Sequence, residues 1–132
     1  MALLTLLTDF GLRDWYVAAV KGVVLSLAPG AQIVDISHEV PPGDVRTAAF
    51  LLAAAAPAFP SGTVHLAVVD PGVGSDRRIL AVETADALFL APDNGLLTPI
   101  LTAATGVRAV VRAADRPDLY RPAPDGRGRA GR

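Results

Sequence analysis

Val68-Val69-Asp70-Pro71-Gly72-Val73-Gly74-Ser75-Asp76-Arg77-Arg78 is the stretch on which the fold turns. The apolar run Thr63 to Val69 reads as a buried strand, and it stops at a carboxylate. Pro71 fixes its own φ and the glycines at 72 and 74 permit positive φ, so a tight turn follows before the β-branched run Ile79 to Thr84. An acid at the carboxyl end of a strand, with a glycine turn and an arginine seven residues later, is the geometry of a site, because ligands of open α/β sheets gather outside strand ends. A hairpin-like turn with a capping Asp70 and solvated arginines accounts for the same residues, and both readings stand at this point.

Similar units flank this one. Leu3 to Thr8 reads as a first strand, buried on both faces because the run is nearly continuous, and it too ends on an acid, in Asp9-Phe10-Gly11. Asp14 is placed to cap a helix from Trp15 to Leu27, with Val17, Val20, Val24 and Leu27 at helical spacing and Pro29-Gly30 as its stop. Gln32 to Ser37 reads as a second strand, closing on Asp35, Ser37 and His38. Pro41-Pro42-Gly43-Asp44 then turns into an alanine-rich helix, Val45 to Ala56, with Asp44 as N-cap and Pro57 and Pro60 as its end. Beyond Arg78, Ile79 to Glu83 and Ala87 to Leu90 read as strands paired through Ala85-Asp86. A loop at Ala91-Pro92-Asp93-Asn94-Gly95, a short helix Leu96 to Ala103 and a strand Val107 to Val111 follow. The alternation predicts an α/β domain over residues 1–114, a three-layer arrangement with a parallel or mixed sheet and helices on both faces. Residues 115–132 carry no apolar periodicity and are rich in Pro, Gly, Ala and Arg, which predicts a disordered or non-native tail.

Hydrophobic residues make up 52% of the 132, enough for one real core. The net charge of −1 hides a gradient: residues 1–104 hold 5 basic and 10 acidic side chains, whereas 105–132 hold 7 and 3. An acidic body with a basic end that lacks interleaved aromatics argues against nucleic-acid binding. Cysteine is absent, which excludes disulfides and thiolate metal sites. Ala2 to Leu7 has no basic flank and reads as a strand rather than a signal peptide, and Ala48 to Phe59 is too short to span a bilayer and contains Pro57. The expectation is a cytoplasmic chain that does not enter membranes.

Asp9, Asp35 and Asp70 each close a strand, and Asp93-Asn94 lies in a further loop. In a parallel sheet these ends share one edge, where carboxylates are good bidentate acceptors for sugar hydroxyls and so suit a nucleoside. A divalent metal held by Asp9, Asp70 and Asp93 is the weaker alternative, since no pair stands at a recognisable ligand spacing. Asp70 with Arg77 fits either an ordinary ion pair or a unit that orients and polarises water, the guanidinium keeping its charge at any working pH. His38 reads as a hydrogen-bonded structural residue and His65 as a sheet-face side chain. The Gly72-Val73-Gly74 turn lacks the third glycine and the lysine of a phosphate cradle, and no nucleophilic serine elbow is present.

Five motifs then stand in order: Thr8-Asp9-Phe10-Gly11 with Asp14 and Tyr16-Val17; Lys21-Gly22; Val34-Asp35-Ile36-Ser37-His38; Val69-Asp70-Pro71-Gly72-Val73-Gly74 through Arg77-Arg78; and Ala91-Pro92-Asp93-Asn94-Gly95-Leu96-Leu97. Together, over residues 3–112, the chain resembles the S-adenosylmethionine (SAM) hydroxide adenosyltransferases, the SAM hydrolases, which are related to the SAM-dependent fluorinase and chlorinase. The resemblance implies splitting of SAM into adenosine and methionine by attack of water or hydroxide at the ribose C5′, with SAM as substrate and neither metal nor redox cofactor. It implies that Asp9 holds the ribose hydroxyls, that Asp14 lies near the methionine portion, and that Phe10, Tyr16 and Asn94 join the substrate-binding set. Asp70 and Arg77 match two members of an Asp-Arg-His group that positions the water. The halogenase branch has an aromatic residue where this chain has Asp70, so hydrolysis is expected over halogenation. The family's histidine belongs to a Thr-Phe-His-Gly-Arg-Asp stretch, and the corresponding region here, Asp125-Gly126-Arg127-Gly128-Arg129, has none. The family's C-terminal β-barrel, which contacts adenine across a homotrimer, has no counterpart here. The expectation is therefore a truncated or frame-shifted N-terminal domain, either an incomplete hydrolase or a remnant that binds adenosine or SAM without turning it over.

Overall fold

A computed structural model describes residues 2–72, 78–103 and 106–112 of the chain. The elements run β1 (Leu3–Thr8), α1 (Tyr16–Leu27), β2 (Gln32–Ser37), α2 (Val45–Ala55), β3 (Thr63–Val68), β4 (Ile79–Thr84), β5 (Ala87–Pro92), α3 (Thr98–Ala103) and β6 (Val107–Arg112). They build one mixed six-stranded sheet in the order β2-β1-β3-β5-β4-β6. β1, β2, β3 and β5 are mutually parallel, and β4 is antiparallel to both of its neighbours. The α/β architecture read from the sequence holds.

The register assigns side chains to faces, because paired residues of adjacent strands point the same way. Thr5 and Leu7 of β1 lie opposite His65 and Ala67 of β3, and His65 lies opposite Phe89 of β5. Leu7, Ala67, Phe89 and Ala91 pack with Ala48 and Leu52 of α2 and with Leu96 and Leu97 ahead of α3. That face therefore carries α2 and α3. Leu6 belongs to the opposite face and is paired with Asp35 of β2, whose carboxylate accepts a hydrogen bond from Lys21 Nζ of α1 at 2.7 Å. α1 thus covers the second face, as right-handed crossovers from β1 to β2 and then back from β2 to β3, running opposite ways across the sheet, require.

Several boundaries differ from the sequence reading, each for a local reason. α1 begins at Tyr16, with Trp15 as the half-helical flanking residue; Asp14 does not cap by side chain in the usual sense but accepts the Tyr16 amide at 2.9 Å, two residues on. Of its four apolar positions only Val17 is buried, Val20 and Val24 are half-buried and Leu27 is exposed. α2 caps as expected: Asp44 accepts from Thr47 through both its amide, at 3.1 Å, and its hydroxyl, at 2.6 Å, bonds that hold the Asp44 carboxyl below its usual range. Pro57 tightens the end of α2 into a single 3-10 turn, Ala56–Ala58. α3 starts two residues later than predicted, at Thr98, since Leu96 and Leu97 are buried in the turn that precedes it. The Ala85-Asp86 turn forms between β4 and β5, with the Thr84 hydroxyl accepting from the Ala87 amide at 3.1 Å. The predicted tail, 115–132, lies outside the described residues.

His65 is the polar member of the main core. It is 1% exposed, shares a hydrogen bond of 2.7 Å with Thr5 Oγ1 through Nδ1, and stacks on Phe89 at 4.9 Å between ring centroids. Burial holds its pKa below the ordinary 6.5. The folded state therefore resists a proton that the unfolded chain accepts. Stability is full above about pH 6.5 and falls as the pH drops toward the depressed native value, by at most about 1.4 kcal/mol per pH unit. Urea melts between pH 7.5 and 5 should show this loss in the native chain. In a Thr5→Val/His65→Phe double variant, which removes both partners of the bond, the loss should be smaller.

Candidate functional site

The parallel strands deliver four loops to one edge of the sheet: Asp9 to Asp14 after β1, His38 to Asp44 after β2, Val69 to Gly72 after β3 and Asp93 to Leu97 after β5. Such an edge is where an α/β sheet places ligands, and here the loops are tied to one another by specific bonds.

Asp9, half-buried, accepts a hydrogen bond from the Gly43 amide at 2.7 Å through Oδ2, joining the β1 and β2 loops. Gly43 has φ +74°, and a Cβ there would stand 3.2 Å from the Pro71 side chain, so the β2 loop packs closely on the β3 loop. Asn94 ties in the β5 loop: its Nδ2 donates to the Val69 carbonyl at 2.9 Å while its Oδ1 accepts from the Leu96 amide at 3.1 Å. Asp70 is buried at the end of β3 and accepts from the Gly72 amide at 2.8 Å, which fixes the carboxylate at the turn. Asp93, exposed, donates its amide to the Arg78 carbonyl at 2.7 Å, so the connection between β3 and β4 has both of its described ends, Gly72 and Arg78, on this edge.

The aromatic residues after β1 form a separate wall. Phe10 meets Tyr16 edge-to-face at 4.8 Å between centroids, and Tyr16 lies 5.7 Å from Trp15. Trp15 is 71% exposed and Tyr16 43%, an unusual display of apolar ring surface beside a carboxylate. Asp14 sits at the same turn.

Of the residues predicted from sequence, the structure therefore links Asp9 to the β2 loop and, through Gly43 and Pro71, to the segment that bears Asp70; it links Asn94 to the same segment and brings Phe10, Asp14 and Tyr16 together at the start of α1. Arg77 lies outside the described residues. Among the described residues no three carboxylates or imidazoles gather closely enough to hold a metal ion, so Asp9, Asp70 and Asp93 do not form the ligand set weighed above. Gly43 and Thr8 carry parts of the site that the sequence did not single out. A glycine between Pro42 and the N-cap Asp44 was the available signal for the first; for Thr8 it was its place at the head of the Thr8-Asp9-Phe10-Gly11 motif.

His38 is buried, as a structural histidine should be, with Nδ1 2.6 Å from Thr8 Oγ1. Its Nε2 stands 2.9 Å from Asp35 Oδ1, at an angle too poor for a full hydrogen bond. Burial pushes the Asp35 carboxyl up, but the hydrogen bond and charge of Lys21, with the His38 ring alongside, outweigh this and leave it below its usual range.

The SAM hydroxide adenosyltransferase N-terminal domain model matches residues 4–126. The chain is 51% identical over 109 residues to the (R)-S-adenosyl-L-methionine hydrolase of Salinispora tropica, a match covering 83% of this chain and 41% of that protein. It is 30% identical over 122 residues to a fluorinase from an Actinoplanes species, covering 75% and 41% respectively. An uncharacterised conserved protein of Thermotoga maritima has the same fold, with a TM-score of 0.82, 41% identity, and 89% of this chain and 45% of that one covered. The chain spans about two fifths of the length of the curated relatives just described. Motif order, loop convergence and the match across residues 4–126 agree: this chain belongs to the SAM hydroxide adenosyltransferase family, as its N-terminal domain.

Proposed function

We propose that this domain supplies the nucleoside-holding and water-orienting part of an enzyme that hydrolyses SAM to adenosine and methionine. The observation that carries the proposal is the tying of the Asp9, Gly43, Asp70 and Asn94 loops into one rigid edge. The hydrolase name borne by the Salinispora relative supplies the substrate.

In this reading Asp9 accepts from the ribose hydroxyls. Gly43 occupies only one of the roughly four acceptor positions of a carboxylate. Phe10 and Tyr16 flank the ligand with ring surface, Asp14 lies toward the methionine end, and Asn94 holds the β5 loop against β3. Water attacks C5′ as the bond from C5′ to the sulfonium sulfur breaks; sulfur keeps the electron pair and leaves as the neutral thioether of methionine, and the water proton passes to solvent. A sulfonium needs no acid to leave, so the protein's task is to orient and desolvate the water. Asp70, with Arg77, takes that role. The buried carboxylate of Asp70 would repel a halide at the same position, which favours hydrolysis over halogenation. SAM is the substrate and no separate cofactor is assigned. Assembly as a homotrimer in the longer protein and a cytoplasmic location belong to the same proposal. The acidic balance of residues 1–104 speaks against nucleic acid as a partner, and among the described residues no helix is long and apolar enough to cross a membrane.

Incubating the longer protein that carries this domain with SAM should release adenosine and methionine in equal amounts on chromatography; a halogenated nucleoside in the presence of chloride or fluoride would reverse the choice. In that protein Asp70→Ala should lower kcat by about a hundredfold or more while leaving the thermal melt near that of the parent. Retained turnover removes Asp70 from the water-positioning role. In the 132-residue chain Asp9→Asn should weaken adenosine binding by roughly tenfold, since a charge-assisted acceptor becomes a neutral one; calorimetric titration reads this directly.

A further inference from the structure

We propose that His38 is a positioning residue that sets the Asp9 turn, acting through Thr8. The inference rests on the reading of Asp9 as the nucleoside-holding carboxylate.

Four side chains stand in sequence, with hydrogen bonds at both ends and a close approach of ring and carboxylate between them. Lys21 Nζ donates to Asp35 Oδ2 at 2.7 Å, Asp35 Oδ1 lies 2.9 Å from His38 Nε2, and His38 Nδ1 lies 2.6 Å from Thr8 Oγ1. The Phe10 amide donates to that same hydroxyl oxygen at 3.2 Å. The carboxylate oxygen of Asp35, 2.9 Å from Nε2, favours a proton on that nitrogen, so in the neutral ring Nδ1 is the acceptor and the Thr8 hydroxyl donates to it while a lone pair of the same oxygen accepts from Phe10. The backbone closes the grip from the other side, where the Gly11 amide donates to the His38 carbonyl at 2.8 Å. His38 therefore holds Thr8 by its ring and Gly11 by its carbonyl, and reaches Phe10 through the Thr8 hydroxyl. Gly11, at φ +72°, completes the reversal that leaves the Asp9 side chain facing Gly43.

Carboxylate, imidazole and hydroxyl stand in the order of a hydrolytic triad. Thr8 is 1% exposed and His38 2%, however, and the hydroxyl is occupied on both sides. The arrangement spends its hydroxyl on backbone geometry and not on attack. Its product is the direction of the Asp9 carboxylate, which a bidentate contact to two vicinal hydroxyls needs held within a fraction of an ångström.

The test uses the 132-residue chain with three substitutions: Thr8→Val, which removes the hydroxyl at constant shape; His38→Leu, which removes both ring nitrogens; and His38→Asn, whose side-chain oxygen can accept from Thr8 in place of Nδ1. Amide exchange by NMR at Phe10 is compared with exchange at Leu66, in the sheet interior. Thr8→Val and His38→Leu should speed exchange at Phe10 by about tenfold with Leu66 unchanged, and His38→Asn should restore protection. Adenosine affinity should follow the same order. Unchanged exchange at Phe10 in Thr8→Val overturns the proposal, and so does adenosine affinity that stays at the parent value while Phe10 loosens. Should His38→Leu fail to fold, His38→Phe, which keeps a planar ring and lacks both nitrogens, decides in its place, because Thr8→Val removes the acceptor of the Phe10 amide whatever His38 does. A parent chain that does not bind adenosine although Phe10 responds as expected defeats the nucleoside reading and leaves the hold on the turn standing.

Discussion

The parallel pairing of β1 with both β2 and β3 is the constraint from which the rest follows. A central strand satisfies its backbone groups on two sides at once, and parallel neighbours force the chain to cross back over a face before each new strand begins. The helices α1 and α2 are those crossings. All three strands must then end at the same edge, and the polar residues that end them are gathered there whatever their later use. Thr5 to Thr8 are buried because both faces of β1 are covered, which is why a threonine and not a surface residue immediately precedes Asp9.

Gathering loops at an edge does not by itself fix them. Two hydrogen bonds and one close packing link different loops: Asp9 to Gly43, Asn94 to Val69, and Gly43 against Pro71. Each uses a backbone group of one loop and a side chain of another, so no loop can shift alone. Carboxylates that accept from backbone amides in this way are oriented before any ligand arrives, and orientation in advance reduces the entropy lost on binding. The two acids differ in setting. Asp9 is half-buried and bonded across to another loop; Asp70 is buried and bonded to its own turn. That difference matches a division between holding a ligand and positioning a small nucleophile.

Much of this was legible in the sequence, and the limits have physical causes. β1 falls where its apolar run and the following acid put it, because a buried strand must be apolar and must stop where the chain meets water; β2, an edge strand, keeps its predicted bounds although none of its residues is buried and Asp35 lies within it. Asp44 capped α2 as its side chain and position required. The outward side of α1 was not legible: Leu27 keeps helical spacing yet is 60% exposed, since spacing reports which side chains align and not what lies opposite them. The start of α3 was displaced because Leu96 and Leu97 fit a helical pattern and a buried turn equally well. Within the site, single residues at strand ends were readable, whereas partnerships between them were not. Thr8 and His38 are thirty positions apart and Asp9 and Gly43 thirty-four, and only the register of β1 on β2 brings them together.

The antiparallel step at β4 has its own role in this plan. Had β3 been followed by another simple crossover, the sheet would have remained all parallel. Instead β3 leads into β4, which runs the opposite way, the β4–β5 hairpin restores the direction, and β6, reached through α3 and antiparallel to β4, runs parallel to the four site strands. Its last residue, Arg112, pairs with Leu80, close to where Ile79 pairs with Pro92 at the end of β5. The chain thus returns to the site edge at Arg112. One antiparallel strand is enough to bring the β3–β4 connection back at Arg78 and to end β6 on the same side, so that every described segment leaving β1, β2, β3 and β5 departs from the edge that Asp9, Asp70 and Asn94 define.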